Sequence, residues 1–529
     1  MAKVLISDSL SKEGLELLKQ SQGIEVDYKP GLKEDELAKA IVGVDGLVIR
    51  SGSKVTAKVI EAADQLRVIG RAGIGVDNVD VKAASRRGII VMNTPTGNAV
   101  TTAEHALALL FSVARKIPQA AASMKEGKWD KKSFEGRELA GKTLGIIGLG
   151  NIGRIVADRA KGLRMDVIGY DPFVTAERAA ELGIEPATLD ELFKRSDAIT
   201  VHTPLTVETK GIVNDASIAK MKKGVLLVNA ARGGIYDEDA VLRGLDVGHI
   251  GGVALDVFVE EPPGLTELVK HPRVVVTPHL GASTEEAQLR VAVEIAQQVV
   301  SYLQTGAISN SVNVPSVPRE MAPIVGPYLG LGRSLGQFLS QVESIKPRTI
   351  EVECSGDAAA LPATLIVNAS LAGLLGRFFE TPMNAVNAPL LARDNGIEVR
   401  EERTSQKGQF ATLVTLTVIS ADGKRASASG TLGGDRTPRL VRWGKFEMEA
   451  HIDGSALVVK NHDRPGVIGS IGTILGAAGV NVSSMQMGLD KAQGEAAALW
   501  ALDSALPASV LDQIRKLKDV TTAIAISIG

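Results

Sequence analysis

The stretch from Lys142 to Asp171 limits the possible folds of this chain more than any other. A short apolar run, Thr143–Ile147, stops at Gly148, and glycines recur at Gly150 and Gly153. A helical pattern with apolar Ile152, Ile155, Val156 and Ala160 follows, and a second apolar run, Val167–Tyr170, ends on Asp171. The order strand, glycine turn, helix, strand makes one βαβ unit of the dinucleotide-binding kind. The first glycine permits the tight turn, the second lets backbone approach a pyrophosphate, and the third lets the helix pack on the strand. Free N–H groups at the helix start, with the helix dipole behind them, favour anionic phosphates. Asp171 is placed to accept hydrogen bonds from the adenosine ribose hydroxyls and would repel a 2′-phosphate, so NAD is expected over NADP.

A chain of 529 residues is too long for one core, and three or four domains are expected. Only 3% of residues are aromatic while 45% are hydrophobic and 55 are glycine, which suits an α/β protein packed with Ala, Val, Ile and Leu. The net charge of −2, with no long run of Lys or Arg, argues against a nucleic-acid partner. The single cysteine, Cys354, excludes an internal disulfide framework and a cysteine-rich metal site, and no metal is expected. The start, MAKVLISDSL, reads as a first strand, and no stretch approaches the roughly 20 apolar residues of a membrane span. A cytoplasmic protein is expected.

Residues 1–98 alternate short apolar runs at 4–7, 24–28, 46–50, 67–71 and 89–93 with amphipathic segments, as parallel strands joined by helices require. Arg50 and Arg71 fall at strand ends beside glycine and serine turns. There they are either solvated charges or contacts for a phosphate or carboxylate. The stretch Asn98–Lys125, rich in Ala and Leu, reads as one long helix bridging two lobes. His105 on that helix reads as structural, and Trp129 beyond it as a packing or subunit-contact residue.

After Asp171, four more apolar strands end in polar residues: His202-Thr203, Asn229–Arg232, Asp256 and His279. All should share one edge of one parallel sheet, around the cofactor. Dehydrogenation of an alcohol needs a base for the hydroxyl proton, and histidine suits neutral pH. His202 and His279 are both placed for it, and His279 is followed by a Leu-Gly-Ala-Ser turn. Glu260 and Glu261 are candidates for a carboxylate partner, and Arg232 suits a bidentate clamp on a substrate carboxylate.

These motifs, GLGNIG (148–153), NAARGG (229–234), LDVF-x-EEP (255–262) and TPHLGAST (277–284), resemble in order and spacing the D-isomer-specific 2-hydroxyacid dehydrogenases. The resemblance implies His279 as acid/base, Glu261 as its partner and Arg232 as carboxylate anchor. It implies NAD contacts from Gly148, Gly150, Asn151, Ile152, Gly153, Asp171, Thr203, Ala230, Arg232, Asp256, His279, Leu280, Gly281 and Ala282. Arg50, Arg71 and Ser53, the last where a threonine is common, match positions that meet a substrate phosphate. The implied reaction is oxidation of 3-phospho-D-glycerate by NAD. Alternatives are another D-2-hydroxy acid, such as glycerate, or a non-catalytic NAD-sensing binding protein on the same fold.

The implied division is a substrate lobe from 1–98 completed by 286–315, an NAD lobe at 99–285, an intervening allosteric substrate-binding domain at 318–452 and an ACT regulatory domain at 455–529. The two lobes are expected to be doubly wound, Rossmann-like parallel sheets and the intervening domain α+β. Asn313–Pro323 reads as a hinge. Arg436, Arg439, Arg442 and Lys445 form a loose basic cluster, read as a solvated face or an anion site. Residues 455–529 carry a βαββαβ, ferredoxin-like pattern. Asp463 and Asn481 match effector positions there, implying L-serine feedback and, with paired ACT domains, a homotetramer.

Overall fold

The computed structural model describes residues 1–318, 320–379, 382–406 and 408–529. Among them the chain forms four sheets in succession. In the first, the spatial order is Ile24–Tyr28, Ala2–Ile6, Gly46–Ile49, Val68–Arg71 and Ile90–Met92, all parallel. Successive side chains point to opposite faces, and both faces are covered. Leu5, Leu47, Ile49 and Ile69 meet the helices carrying Leu37, Val59 and Ile60, whereas Val4, Ile6, Val48 and Val68 meet Leu18 and the returning helix Glu285–Thr305 through Val291, Ile295 and Val299. The strand order reverses between Ala2–Ile6 and Gly46–Ile49. Such reversals open a crevice beyond the strands' carboxyl ends, which here carry Ser7, Asp8, Arg50 and Ser53.

The second sheet is also parallel, in the order Val274–Val276, Ile250–Leu255, Val225–Asn229, Ala198–Val201, Thr143–Ile147, Asp166–Tyr170 and Glu185–Pro186. Its order reverses between Thr143–Ile147 and Ala198–Val201, so the glycine turn and His202 stand side by side at the switch point. The bridging segment is not one helix. It breaks at Lys116, which takes the left-handed conformation (φ 52°), into Ala99–Arg115 and Ile117–Lys125. Pro118 has no N–H to give the Ala114 carbonyl four residues back, and that carbonyl accepts from Arg137 N instead, at 2.9 Å.

The third sheet runs Glu398–Thr404, Thr349–Gly356, Thr412–Ile419, Arg425–Leu432, Pro438–Trp443 and Phe446–His451, antiparallel except for its first pair. The fourth, Val482–Asp490, Glu495–Leu502, Gly454–His462 and Val520–Ile528, is antiparallel with two helices, giving the ferredoxin-like order. The two sheets share one apolar core: Leu331, Leu335 and Phe338 of the helix Ala322–Val342 pack with Val458, Leu499, Ile526 and Ile528 of the last sheet. In the basic cluster Arg439 pairs with Asp435, Arg442 with Glu447, and Lys445 with Asp490 and Glu495, while Arg436 donates to the Pro323 carbonyl at 3.3 Å.

The segment after the returning helix is not a free hinge up to Val317. Val312 N donates to Val91 O at 2.9 Å, Asn313 Oδ1 accepts from Val91 N at 3.0 Å, and Ile308 bridges Val317. Further along, Arg319 lies outside the described residues. Among the described residues, no helix is long and apolar enough to cross a membrane.

Candidate active site

The glycine turn carries the geometry that its spacing implied. Gly148 has φ +95°, and a Cβ there would lie 2.6 Å from the His202 carbonyl oxygen; a Cβ at Gly153 would lie 2.0 Å from Gly148 O. A Cβ at Gly150 would meet nothing, so this glycine leaves the approach to the turn open. The helix Asn151–Gly162 has no side-chain cap, and the N–H groups of its first turn, at Asn151, Ile152 and Gly153, suit a phosphate. Asp171 closes the far side: Oδ2 accepts from Leu149 N at 2.8 Å and Oδ1 from Phe173 N at 2.9 Å, which holds the carboxylate beside the turn with lone pairs to spare. The Thr203 hydroxyl, at the next strand end, is buried without a protein partner. Together, an open glycine cradle, uncapped amides, a ribose-matched acid and an orphaned hydroxyl fit a dinucleotide with a free 2′-hydroxyl.

The two histidines separate sharply. His202 is enclosed, its Nε2 3.0 Å from Thr200 Oγ1, and burial pushes it down to about 4, so it stays neutral. His279 stands half-exposed in a left-handed conformation (φ 55°), its N–H donating to Asp256 O at 2.9 Å. Its Nδ1 lies 2.8 Å from Glu261 Oε2. A carboxylate only accepts, so Nδ1 carries the proton and Nε2 the lone pair. Glu261, not Glu260, makes this contact. Its other oxygen accepts from Phe258 N at 3.1 Å, which fixes the carboxylate on its loop.

Arg232 sits on a turn pinned by the buried Asn229, which accepts from Ala231 N at 3.0 Å and donates to Arg232 O at 2.8 Å. Its Nε reaches across to the first lobe and donates to Asp77 Oδ2 at 2.8 Å. Arg71 lies within range of the charges of Arg232, Asp77, Arg50 and Asp8; burial first, and Arg232 next, push its guanidinium down to about 10. The loop Arg71–Asp77 makes room for both groups: a Cβ on Gly73 would fall 1.6 Å from Arg71 Nη1, and one on Gly75 1.7 Å from Arg232 Nη2. Three arginines thus converge where the two sheets' carboxyl ends face each other.

Two residues expected as direct contacts, Ser53 and Asp256, have their side chains engaged within the protein. The Ser53 hydroxyl is buried, 2.7 Å from Ser7 Oγ and donating to Asp8 Oδ1 at 3.0 Å, because Asp8 gathers the 50–53 loop onto the strand end. The same carboxylate accepts from Arg50 N at 2.6 Å and Ser53 N at 3.1 Å. Asp256 is 0% exposed, and its carboxylate is taken by protein donors, Leu280 N at 2.7 Å and Gly281 N at 2.8 Å among them. Sequence reasoning missed Asp8 and Asp77. Asp8 follows the first strand as the other site residues follow theirs, and the strand-end criterion used for the second sheet finds it when applied to the first.

Asp463 and Asn481 do not converge within one chain. Asp463 follows the strand Gly454–His462 while Asn481 precedes Val482–Asp490, and the register places these positions at opposite ends of the sheet, roughly 25 Å apart. Asn481 donates to Asp503 Oδ2 at 2.5 Å.

Comparison with known proteins agrees with this architecture. Residues 107–281 match the D-isomer specific 2-hydroxyacid dehydrogenase NAD binding domain, residues 324–443 the D-3-phosphoglycerate dehydrogenase intervening domain and residues 455–519 the ACT domain. The chain is 40% identical over 529 residues to the D-3-phosphoglycerate dehydrogenase of Synechocystis, covering all of this chain and 95% of that one. It is 41% identical to that of Methanocaldococcus jannaschii, covering both chains in full, and 38% identical to that of Bacillus subtilis, covering 99% of each. Among solved structures it resembles a D-lactate dehydrogenase from Aquifex aeolicus complexed with NAD and lactic acid, at 27% identity and TM-score 0.53, over 59% of this chain and all of that one. A glyoxylate reductase from Paecilomyes thermophila is similar at 28% identity and TM-score 0.55, over 59% of this chain and 98% of the other.

Proposed function

We propose a function from one premise: the chain belongs to the D-3-phosphoglycerate dehydrogenase family. It is an NAD-dependent dehydrogenase that oxidises 3-phospho-D-glycerate to 3-phosphohydroxypyruvate, the first committed step of L-serine synthesis. The observation that carries the substrate reading is the convergence of Arg50, Arg71 and Arg232, with Arg232 on the same sheet edge that carries the His279–Glu261 pair. The substrate carries a phosphate at one end and a carboxylate at the other, and three guanidiniums with two nearby acids leave a surplus of positive charge for it.

In this reading NAD, held by Gly148–Gly153 and Asp171, supplies the hydride acceptor. Arg232 holds the substrate carboxylate through its terminal nitrogens, its Nε being engaged by Asp77. Arg50 and Arg71 hold the phosphate. His279 Nε2 takes the C2 hydroxyl proton, and Glu261 stabilises the imidazolium that results. Glycerate would leave Arg50 and Arg71 without an anion, which favours the phosphorylated substrate over it.

L-serine acts as a feedback inhibitor bound between two ACT domains, so that Asp463 and Asn481 come to one ligand from different chains. Phe111, Ile117, Met124 and Trp129, exposed along 111–129, support self-association, and a cytoplasmic homotetramer is the assembly we assign. The functional division follows: 1–98 with 286–315 binds substrate, 99–285 binds NAD, 318–452 is an allosteric substrate-binding domain and 455–529 senses the effector.

The test is NADH formation from 3-phosphoglycerate, with glycerate as comparison, with and without L-serine. Turnover of 3-phosphoglycerate that serine suppresses is expected. Equal turnover of glycerate would overturn the substrate reading, and insensitivity to serine the feedback reading. His279→Ala should abolish turnover with NADH binding kept; retained turnover would remove His279 from the reaction.

A further inference from the structure

We propose that His105 is a positioning residue for His279, acting through the buried carboxylate of Asp256. The proposal rests on the reading of His279 as the base. From sequence, His105 belongs to the interior of a helix. In the fold, the helix Ala99–Arg115 passes under the carboxyl end of the second sheet and brings its Nε2 to 3.1 Å from both Asp256 Oδ1 and Thr277 Oγ1.

The protonation of that nitrogen follows from its neighbours. Thr277 Oγ1 gives its one proton to Asp256 Oδ1, at 2.5 Å, and so turns only lone pairs toward the imidazole. The Asp256 carboxylate also only accepts. Nε2 of His105 therefore carries a hydrogen and donates it. Asp256 thus takes four donors: His105, Thr277 and the Leu280 amide (2.7 Å) on Oδ1, and the Gly281 amide (2.8 Å) on Oδ2. Burial pushes this carboxyl up, but the His105, Thr277 and Leu280 hydrogen bonds outweigh it and keep the group below its ordinary range, ionised and strongly accepting.

The two amides belong to the residues that directly follow His279, whose own N–H donates to the Asp256 carbonyl. Asp256 therefore grips the turn at three consecutive residues, through carbonyl and carboxylate, and this grip holds His279 in its left-handed conformation. A carboxylate can hold two amides in register only while its own rotation is stopped, and His105 with Thr277 stops it from behind. Gly281 seals the arrangement: its carbonyl accepts from Thr102 Oγ1 at 2.9 Å, one helical turn before His105.

The experiment compares His105→Leu with His105→Gln, whose amide can still donate. In cofactor-free protein, hydrogen exchange is followed by mass spectrometry on peptides spanning 277–284 and 99–115. Steady-state kinetics with 3-phosphoglycerate and NAD follow. For His105→Leu, faster exchange at 277–284 with 99–115 unchanged is expected. So is a fall in kcat of about tenfold, the order set by loss of one hydrogen bond to a charged group, with KM for 3-phosphoglycerate unchanged. His105→Gln should restore both. Wild-type exchange at 277–284 in the Leu variant would overturn the proposal, as would faster exchange confined to 99–115 or no rescue by Gln. The exchange data need no substrate, so an inactive wild-type enzyme would refute the assigned reaction and leave this test standing.

Discussion

The Nδ1 of His279 and the Oε2 of Glu261 lie 2.8 Å apart, although the two residues stand on different loops at the carboxyl end of the second sheet. Both loops are held from behind, Glu261 by the Phe258 amide and His279 by Asp256. Glu261 supplies the negative charge that an imidazolium needs. Glu261→Gln keeps the shape and removes the charge, so kcat should fall about 10- to 100-fold with KM for substrate little changed, as initial-rate kinetics will show. Undiminished kcat would mean that the pair is structural only.

The glycines of the Arg71–Asp77 loop exist to seat guanidiniums. Gly75→Ala would drive a methyl into Arg232 Nη2. Arg232 must then leave its place or lose Asp77, and kcat/KM for 3-phosphoglycerate should fall roughly 10- to 150-fold, as expected for losing a charged hydrogen bond. The arginine end is flexible, so the melting temperature should barely move. A large drop in melting temperature with normal kinetics would contradict this.

Burial of His202 should make the protein acid-sensitive. Its imidazole titrates near 4 when folded and near 6.5 when unfolded, so between these values the unfolded chain binds a proton that the folded chain refuses. Stability therefore rises with pH across this window and is lost as pH falls through it, by about 3 kcal/mol in all. Urea unfolding of wild type and His202→Gln from pH 4.5 to 7 should show a shallower slope in the variant. Parallel slopes would place the acid sensitivity elsewhere.

Trp443 joins the last two sheets. Its ring meets Phe338 edge-on at 5.5 Å and carries Lys460 Nζ 4.0 Å from its centre, while Nε1 donates to Glu343 at 3.0 Å, the carboxylate that also pairs with Lys460 at 3.1 Å. Trp443→Ala should cost about 3–5 kcal/mol and loosen the ACT domain from its neighbour. Calorimetry should resolve a separate low-temperature transition, and a single unshifted transition would show the contact to be dispensable.

The sequence by itself determined every element whose signal is local. Glycines at 148, 150 and 153, an apolar run before them and an acid after the next strand can form little besides a phosphate-binding βαβ unit, because each residue acts on its own turn or strand. The strand ends at 203, 229–232 and 279 were legible for the same reason: parallel strands must end on one edge. Tertiary structure decided what depended on two distant segments meeting. It broke the bridging helix at Lys116, where a remote amide replaces the hydrogen that Pro118 lacks. It turned Ser53 and Asp256 inward, since a buried carboxylate collects whatever donors its neighbours offer. It brought Asp77 from one lobe to Arg232 of the other, and His105 from mid-helix to the carboxylate behind His279. Hydrogen bonds are short-ranged and directional, so a partner 151 residues away in sequence leaves no periodicity to read.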